Sequence, residues 1–138
     1  MSLPAGYRLV DGPPSLEDYV ALRLGAGLSP KRSDQAAAAI DGAWAAVHVA
    51  CAGGTVGMGR VLGDGGWYFH VLDMAVLPEH QRRGLGDAIL TALLDRIRRD
   101  APQGAYVCLF ADPPGRNLYE RHGFRLTAPG SVGMARLM

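Results

Sequence analysis

The 138-residue chain carries 14 basic and 13 acidic residues, is 49% hydrophobic and 20% charged, and holds two cysteines. That balance suits one globular domain with one core, residues 1–138, and not two. A net charge of +1 gives no ground for nucleic-acid or anionic-membrane binding, and no apolar run reaches the ~18 residues that span a bilayer. MSLPAGYRLV lacks a basic segment leading into an apolar one, so no secretory signal is expected and the cytoplasm is the expected compartment. A disulfide would be unusual there, and Cys51 and Cys108 read as small core hydrophobes. His48 and Cys51 lie close, but no second ligand pair follows at metal spacing, so no metal is expected.

Tyr7–Val10 reads as a short strand, broken by Asp11-Gly12-Pro13-Pro14. Ser15 is a good N-cap for a helix over Leu16–Leu24, with Leu16, Tyr19, Val20 and Leu24 at helical spacing. Gly25–Pro30 is a loop, and Ser33 or Asp34 caps a second helix over Gln35–Ile40. Trp44–Cys51, Thr55–Leu62 and Trp67–Leu77 form an antiparallel meander, turned at Ala52-Gly53-Gly54 and Gly63-Asp64-Gly65-Gly66. A central helix runs from about Gly84 to Arg99, with Leu85, Ala88, Ile89, Ala92, Leu93 and Ile97 on one stripe. Tyr106–Phe110 reads as a buried strand, parallel to its predecessor through a right-handed crossover. Asp112 and Pro113 then open a helix that ends at His122, with Gly123 at C′. Phe124–Leu126 and Val132–Leu137 read as two closing strands.

The centre of the chain is Leu72–Arg99, a strand, a polar loop and a helix. Helix-opening N–H groups have no internal partner, and the dipole adds about half a positive charge there. With Gln81-Arg82-Arg83-Gly84-Leu85-Gly86 as the loop, the result is an anion site suited to phosphate or pyrophosphate. Gly84 and Gly86 lack a Cβ that would hold an anion off the backbone. The dinucleotide fingerprint fails, because the third glycine would fall on Ile89, and no GxxxxGK[ST] occurs.

The hexapeptide resembles the acyl-CoA motif of the GNAT N-acetyltransferase superfamily, [QR]-x-x-G-x-[GA]. Downstream, Leu118-Tyr119-Glu120-Arg121-His122-Gly123-Phe124 resembles the same family's LYxxxGF segment. The resemblance implies an α/β fold with a mixed central sheet of about six or seven strands and about four helices. Its fourth and fifth strands splay into a cleft for the pantetheine arm. It implies acetyl-CoA as co-substrate, with the pyrophosphate on Gln81, Arg82, Arg83, Gly84, Leu85 and Gly86. Backbone groups of Met74, Ala75 and Val76 would meet the pantetheine arm, and an N–H near Val76 would polarise the thioester carbonyl. Asp112 and Gly115 stand where the family has asparagine and alanine, facing the cofactor's amide arm.

Tyr119 matches the family's general acid; its phenol and a thiol leaving group have similar acidity. For deprotonating the amine, His70 aligns with a glutamate base of the histone acetyltransferase branch and titrates near neutrality. Asp73 is an anion in the apolar run LDMAV and needs a partner or a role. Strand alternation puts His70, Leu72 and Met74 on one face and Val71, Asp73 and Ala75 on the other, unless a bulge intervenes. Asp73 is preferred as the residue near the acceptor, with His70 and water as alternatives. Trp67, Tyr68 and Phe69 could line an acceptor pocket, and Arg23, Lys31 and Arg32 could read an acceptor carboxylate. His48, His80 and His122 are expected on surfaces. With no cysteine in either motif, direct attack in a ternary complex on a small-molecule amine is expected. A peptide N-terminal or lysine acetyltransferase and a non-catalytic acyl-CoA sensor are the alternatives, and the family often forms homodimers.

Overall fold

The computed structural model describes residues 2–138. Five strands form one sheet in the order β1-β2-β3-β4-β5. They are β1 (Tyr7–Asp11), β2 (Ala45–Cys51), β3 (Gly54–Gly63), β4 (Tyr68–Val76) and β5 (Tyr106–Cys108). The first four pair antiparallel and β5 joins β4 in parallel. The four α-helices are α1 (Leu16–Gly25), α2 (Ser33–Asp41), α3 (Leu85–Asp100) and α4 (Arg116–Arg121).

Local chemistry accounts for most boundaries. Ser15 Oγ accepts from Asp18 N–H, the expected N-cap of α1. α2 starts earlier than expected: Arg32 is its N-cap, and Gln35 Oε1 accepts from the Arg32 N–H. The β3–β4 turn is held by Asp64, whose Oδ1 accepts from the N–H groups of Gly66, Trp67 and Tyr68. Gly123 takes φ +90° after α4, as a C′ glycine does. Pro113 and Pro114 lack N–H groups, so α4 does not begin there. Pro113–Gly115 instead forms a 3-10 turn, closed by Gly115 N–H on the Asp112 carbonyl at 2.9 Å.

Two cores lie on opposite faces of the sheet. On one, α3 buries Leu85, Ile89, Leu90 and Leu93 against Val49, Val61, Phe69 and Val71. Close approach requires Gly59: a Cβ there would lie 2.6 Å from Met74 Sδ and 2.7 Å from Ile89 Cγ2. On the other face, Tyr19, Leu22 and Ala36 from α1 and α2 pack on Met58 and Ala75.

The sheet has fewer strands than expected. Neither Phe124–Leu126 nor Val132–Leu137 forms one. β5 ends at Cys108, two residues short of the expected Phe110, and a three-residue strand offers little edge for further pairing. Leu126, Met134 and Leu137 are exposed.

A candidate active site where two strands part

β4 and β5 pair over only three rungs, and the last joins His70 to Cys108. Beyond it β4 runs on to Val76 with no strand on that side, leaving backbone groups for an extended ligand. This is the expected splay. Gln81 contributes at its far end, donating from Nε2 to the Val76 carbonyl at 3.0 Å. One of the backbone acceptors assigned to the pantetheine arm is therefore already engaged by the loop.

The loop after β4 forms a cradle of amides. Arg82 has φ +61° and Gly84 φ +81°, both left-handed, so successive N–H groups turn toward one side. Ala88 N–H is bonded to the Gly84 carbonyl, while the N–H groups of Arg82 through Asp87 have no partner among the described residues. They lead into the first turn of α3, where the dipole also favours an anion. Arg82 and Arg83 are exposed beside them. These features fit a pyrophosphate.

The two glycines differ in what they do there. A Cβ on Gly84 would meet nothing within 4 Å, so its role is the positive φ and the open approach. A Cβ on Gly86 would lie 3.3 Å from Leu118 Cδ2, so Gly86 lets α4 approach α3 rather than clearing room for the anion. Asp87 reinforces that contact, accepting from Arg121 Nη2 at 3.0 Å and pairing with His122 Nε2 at 2.9 Å. Burial pushes the Asp87 carboxyl up, but the hydrogen bonds from His122 and Arg121 outweigh it and hold it below the ordinary range.

Tyr119 is half-buried between α3 and Phe124, and its hydroxyl has no hydrogen-bond partner among the described residues. Burial, and then the anion of Asp112, raise its pKa above the ordinary phenol value. The phenol stays protonated and ready to donate at neutral pH. A Cβ on Gly115 would lie 2.9 Å from Tyr119 Cε2, so the glycine lets that ring pack against the turn. Asp112 is exposed and stands at the N-cap of the 3-10 turn, where its side chain makes no capping hydrogen bond.

Asp73 is placed differently from its expected role. It sits in a bulge with φ +57°, where four residues of β4 (Leu72 to Ala75) lie opposite three of β3 (Arg60 to Met58). The bulge reverses the expected faces. Val71 and Met74 belong with the α3 core, whereas Ala75 packs toward α1 and α2. Asp73 turns toward α1 as well, where Arg23 Nη1 lies 2.5 Å from Oδ1 and Arg60 Nε 2.6 Å from Oδ2. The Tyr19 hydroxyl also donates to Oδ2. Both carboxylate oxygens are engaged, and all three charged side chains are about nine-tenths buried. This is an interlock, not a free base. Arg23 also donates to the Ser29 carbonyl and hydroxyl, so it is no acceptor reader. Arg32 pairs with Asp34 on the surface, and Lys31 is exposed.

His70 is the titratable group left at the fork. It is half-buried, and desolvation alone lowers its pKa, keeping the imidazole neutral. Its Nδ1 lies 3.3 Å from Cys108 Sγ. Its Nε2 makes no hydrogen bond among the described residues and is not buried. The Phe110 ring meets it edge-on at 5.2 Å. Phe69 is fully in the core, while Trp67 and Tyr68 are exposed. The other histidines are half-buried and tied, not free on surfaces: His48 to the Gly12 carbonyl, His80 to the Tyr7 hydroxyl and His122 to Asp87.

Residues 43–126 match the model of the acetyltransferase (GNAT) domain. The chain belongs to the GNAT family. A protein of unknown function and probable acetyltransferase from meticillin-resistant Staphylococcus aureus is 36% identical, with a TM-score of 0.91 over 96% of this chain and 99% of its own. A GNAT-family acetyltransferase from Streptococcus pneumoniae, 22% identical, shares the fold with a TM-score of 0.78 over 96% and 98% of the two chains. An uncharacterised N-acetyltransferase, ycf52, from Pyropia yezoensis is 29% identical over 79 residues. That match spans 57% of this chain and 44% of the relative's length.

Two contributors at the site were missed from sequence: Arg60 and Cys108. Arg60 carried a signal, a lone charge inside the apolar strand VGMGRVL that mirrors Asp73 in LDMAV. Cys108 carried none, because its register against His70 is a tertiary fact.

Proposed function

We propose that this GNAT protein transfers an acetyl group from acetyl-CoA to the primary amine of a small molecule, by direct attack in a ternary complex. The observation that carries the reading is the row of unpartnered N–H groups from Arg82 to Asp87, beside a β4 edge that no strand covers. Acetyl-CoA would supply the activated acyl group. The amides of the loop would hold its pyrophosphate, and the free edge of Leu72–Ala75 would pair with its extended arm. His70 would take the proton of the attacking amine at Nε2, and Tyr119 would give one to the departing thiolate.

A small acceptor is supported by how little room the α1–α2 side leaves. Tyr19, Arg23, Arg60 and Asp73 interlock there, and the cavity beside them measures about 10 Å³, room for one water at most. Toward β5, the exposed rings of Tyr68, Tyr106 and Phe110 cluster near His70.

Calorimetric titration with acetyl-CoA, followed by a thiol-release screen over amines, amino acids, polyamines and short peptides, tests the reading. Binding with release on a small amine is the expected result. Release only on peptides would replace the acceptor class. Binding without release would favour an acyl-CoA sensor, and absence of binding would overturn the cofactor assignment.

A further inference from the structure

Cys108 has no role in the scheme above, yet its sulfur sits at the fork of the cleft. Three groups surround it. His70 Nδ1 is at 3.3 Å, the Tyr68 hydroxyl at 3.3 Å and the Phe69 carbonyl at 3.5 Å. A thiol has one hydrogen to give and sulfur lone pairs to accept with. The Phe69 carbonyl can only accept, and the Tyr68 hydroxyl can do either. The S–H therefore has acceptors other than the imidazole, which leaves the sulfur free to accept from Nδ1–H.

This decides the chemistry of the ring. A neutral imidazole carries one proton, and the partner of one nitrogen sets the tautomer of the other. If Nδ1 donates to sulfur, Nε2 holds the lone pair, and no group among the described residues occupies it. If the thiol donates to Nδ1, Nε2 carries the hydrogen and cannot act as a base. No charged side chain contributes to the state of His70. Its strand neighbours are Leu62 on β3 and Cys108 on β5, and the Phe110 ring stands against it. Among the groups on the page, the sulfur is the one that addresses Nδ1.

We propose that Cys108 is a positioning residue for acetyl transfer: its Sγ accepts the Nδ1 hydrogen of His70 and so presents the Nε2 lone pair to the amine. The inference rests on His70 being the base, as read above.

The test begins with the ligand-free protein. Long-range proton–nitrogen spectra of the His70 ring, recorded above its titration, report which nitrogen carries the hydrogen. The wild type is expected in the Nδ1–H tautomer, Cys108→Ala shifted toward Nε2–H, and Cys108→Ser, which keeps an acceptor, close to wild type. A wild-type ring in the Nε2–H form, or an unchanged tautomer in Cys108→Ala, overturns the proposal. The kinetic arm uses acetyl-CoA with the fastest amine of the thiol-release panel. Cys108→Ala is expected to lower kcat/KM about tenfold, the ratio that one hydrogen bond of ordinary net strength supplies. Its acetyl-CoA affinity should not change, and serine should restore the rate. His70→Gln separates the two ideas. If it keeps the acidic limb of the pH profile, the base assignment fails. If it loses the limb while Cys108→Ala equals wild type, only the positioning role fails. An acetyl group on Cys108 by intact mass after incubation with acetyl-CoA alone would overturn it in favour of a covalent intermediate.

Discussion

The two halves of β4 carry the two residues that sequence alone offered for one task, and they are opposites. At Asp73 the strand bulges toward α1, and the carboxylate meets two guanidiniums and a phenol in a buried cluster. At His70 the strand is regular, the neighbours are uncharged, and one ring nitrogen is left without a partner among the described residues. A buried ionisable group with both oxygens engaged stabilises one arrangement, whereas a half-buried neutral group with one free nitrogen can exchange a proton. A charge in an apolar strand points to a partner as readily as to a reaction.

The largest expected effect breaks the closed half. Asp73→Ala leaves Arg23 and Arg60 buried without their anion, and should cost about 3–5 kcal/mol of stability, read by urea denaturation. A loss below about 1 kcal/mol, the range of an exposed pair, would show that the cluster is not an interlock. At the open half, His70→Gln should lower kcat/KM by about 10²-fold or more and erase its acidic limb. The sign follows from the base being the neutral form: activity rises with pH through the His70 pKa. Because burial lowers that pKa, the limb should lie below the ordinary histidine value of about 6.5. A limb above that value would contradict the burial of the ring.

Tyr119→Phe should lower kcat about 10²-fold while leaving acetyl-CoA affinity near wild type. Full activity would remove the tyrosine from proton transfer. Gly84→Ala comes next: the positive φ costs a side-chain-bearing residue about 1–2 kcal/mol, and calorimetry should show weaker acetyl-CoA binding even though the space around it is open. The smallest effect concerns pH and stability. The Asp87 carboxyl titrates below its ordinary range when folded. Its contribution is full above the unfolded value of about 3.9 and is lost as pH falls through the lower folded value. Asp87→Asn should flatten that part of the stability curve.

Local and pairwise features were legible in the residues. The Ser15 cap, the amphipathic stripe of α3, the glycine after α4 and the meander turns each depend on residues a few positions apart. The two GNAT motifs, thirty-odd positions apart, pointed to the amide loop and Tyr119 because each is a contiguous segment with its own backbone requirement. The closing strands were overestimated, since apolar alternation in 124–138 says nothing of whether an edge is available to pair with. The end of β5 was also overestimated, and Phe110 stands exposed beside His70 rather than buried in a strand.

By itself, the sequence determined the fold family, the order of elements and the loop that opens α3, because backbone conformation and side-chain periodicity are written within short windows. Tertiary structure alone decided which groups touch across strands. A single bulged residue turned Asp73 away from the α3 face and into the reach of Arg23 and Arg60. The register of a three-residue parallel pairing set Cys108 beside His70. Strand side chains alternate with a period of two, so one inserted residue exchanges the faces, and a pattern of letters does not record which residue absorbs it.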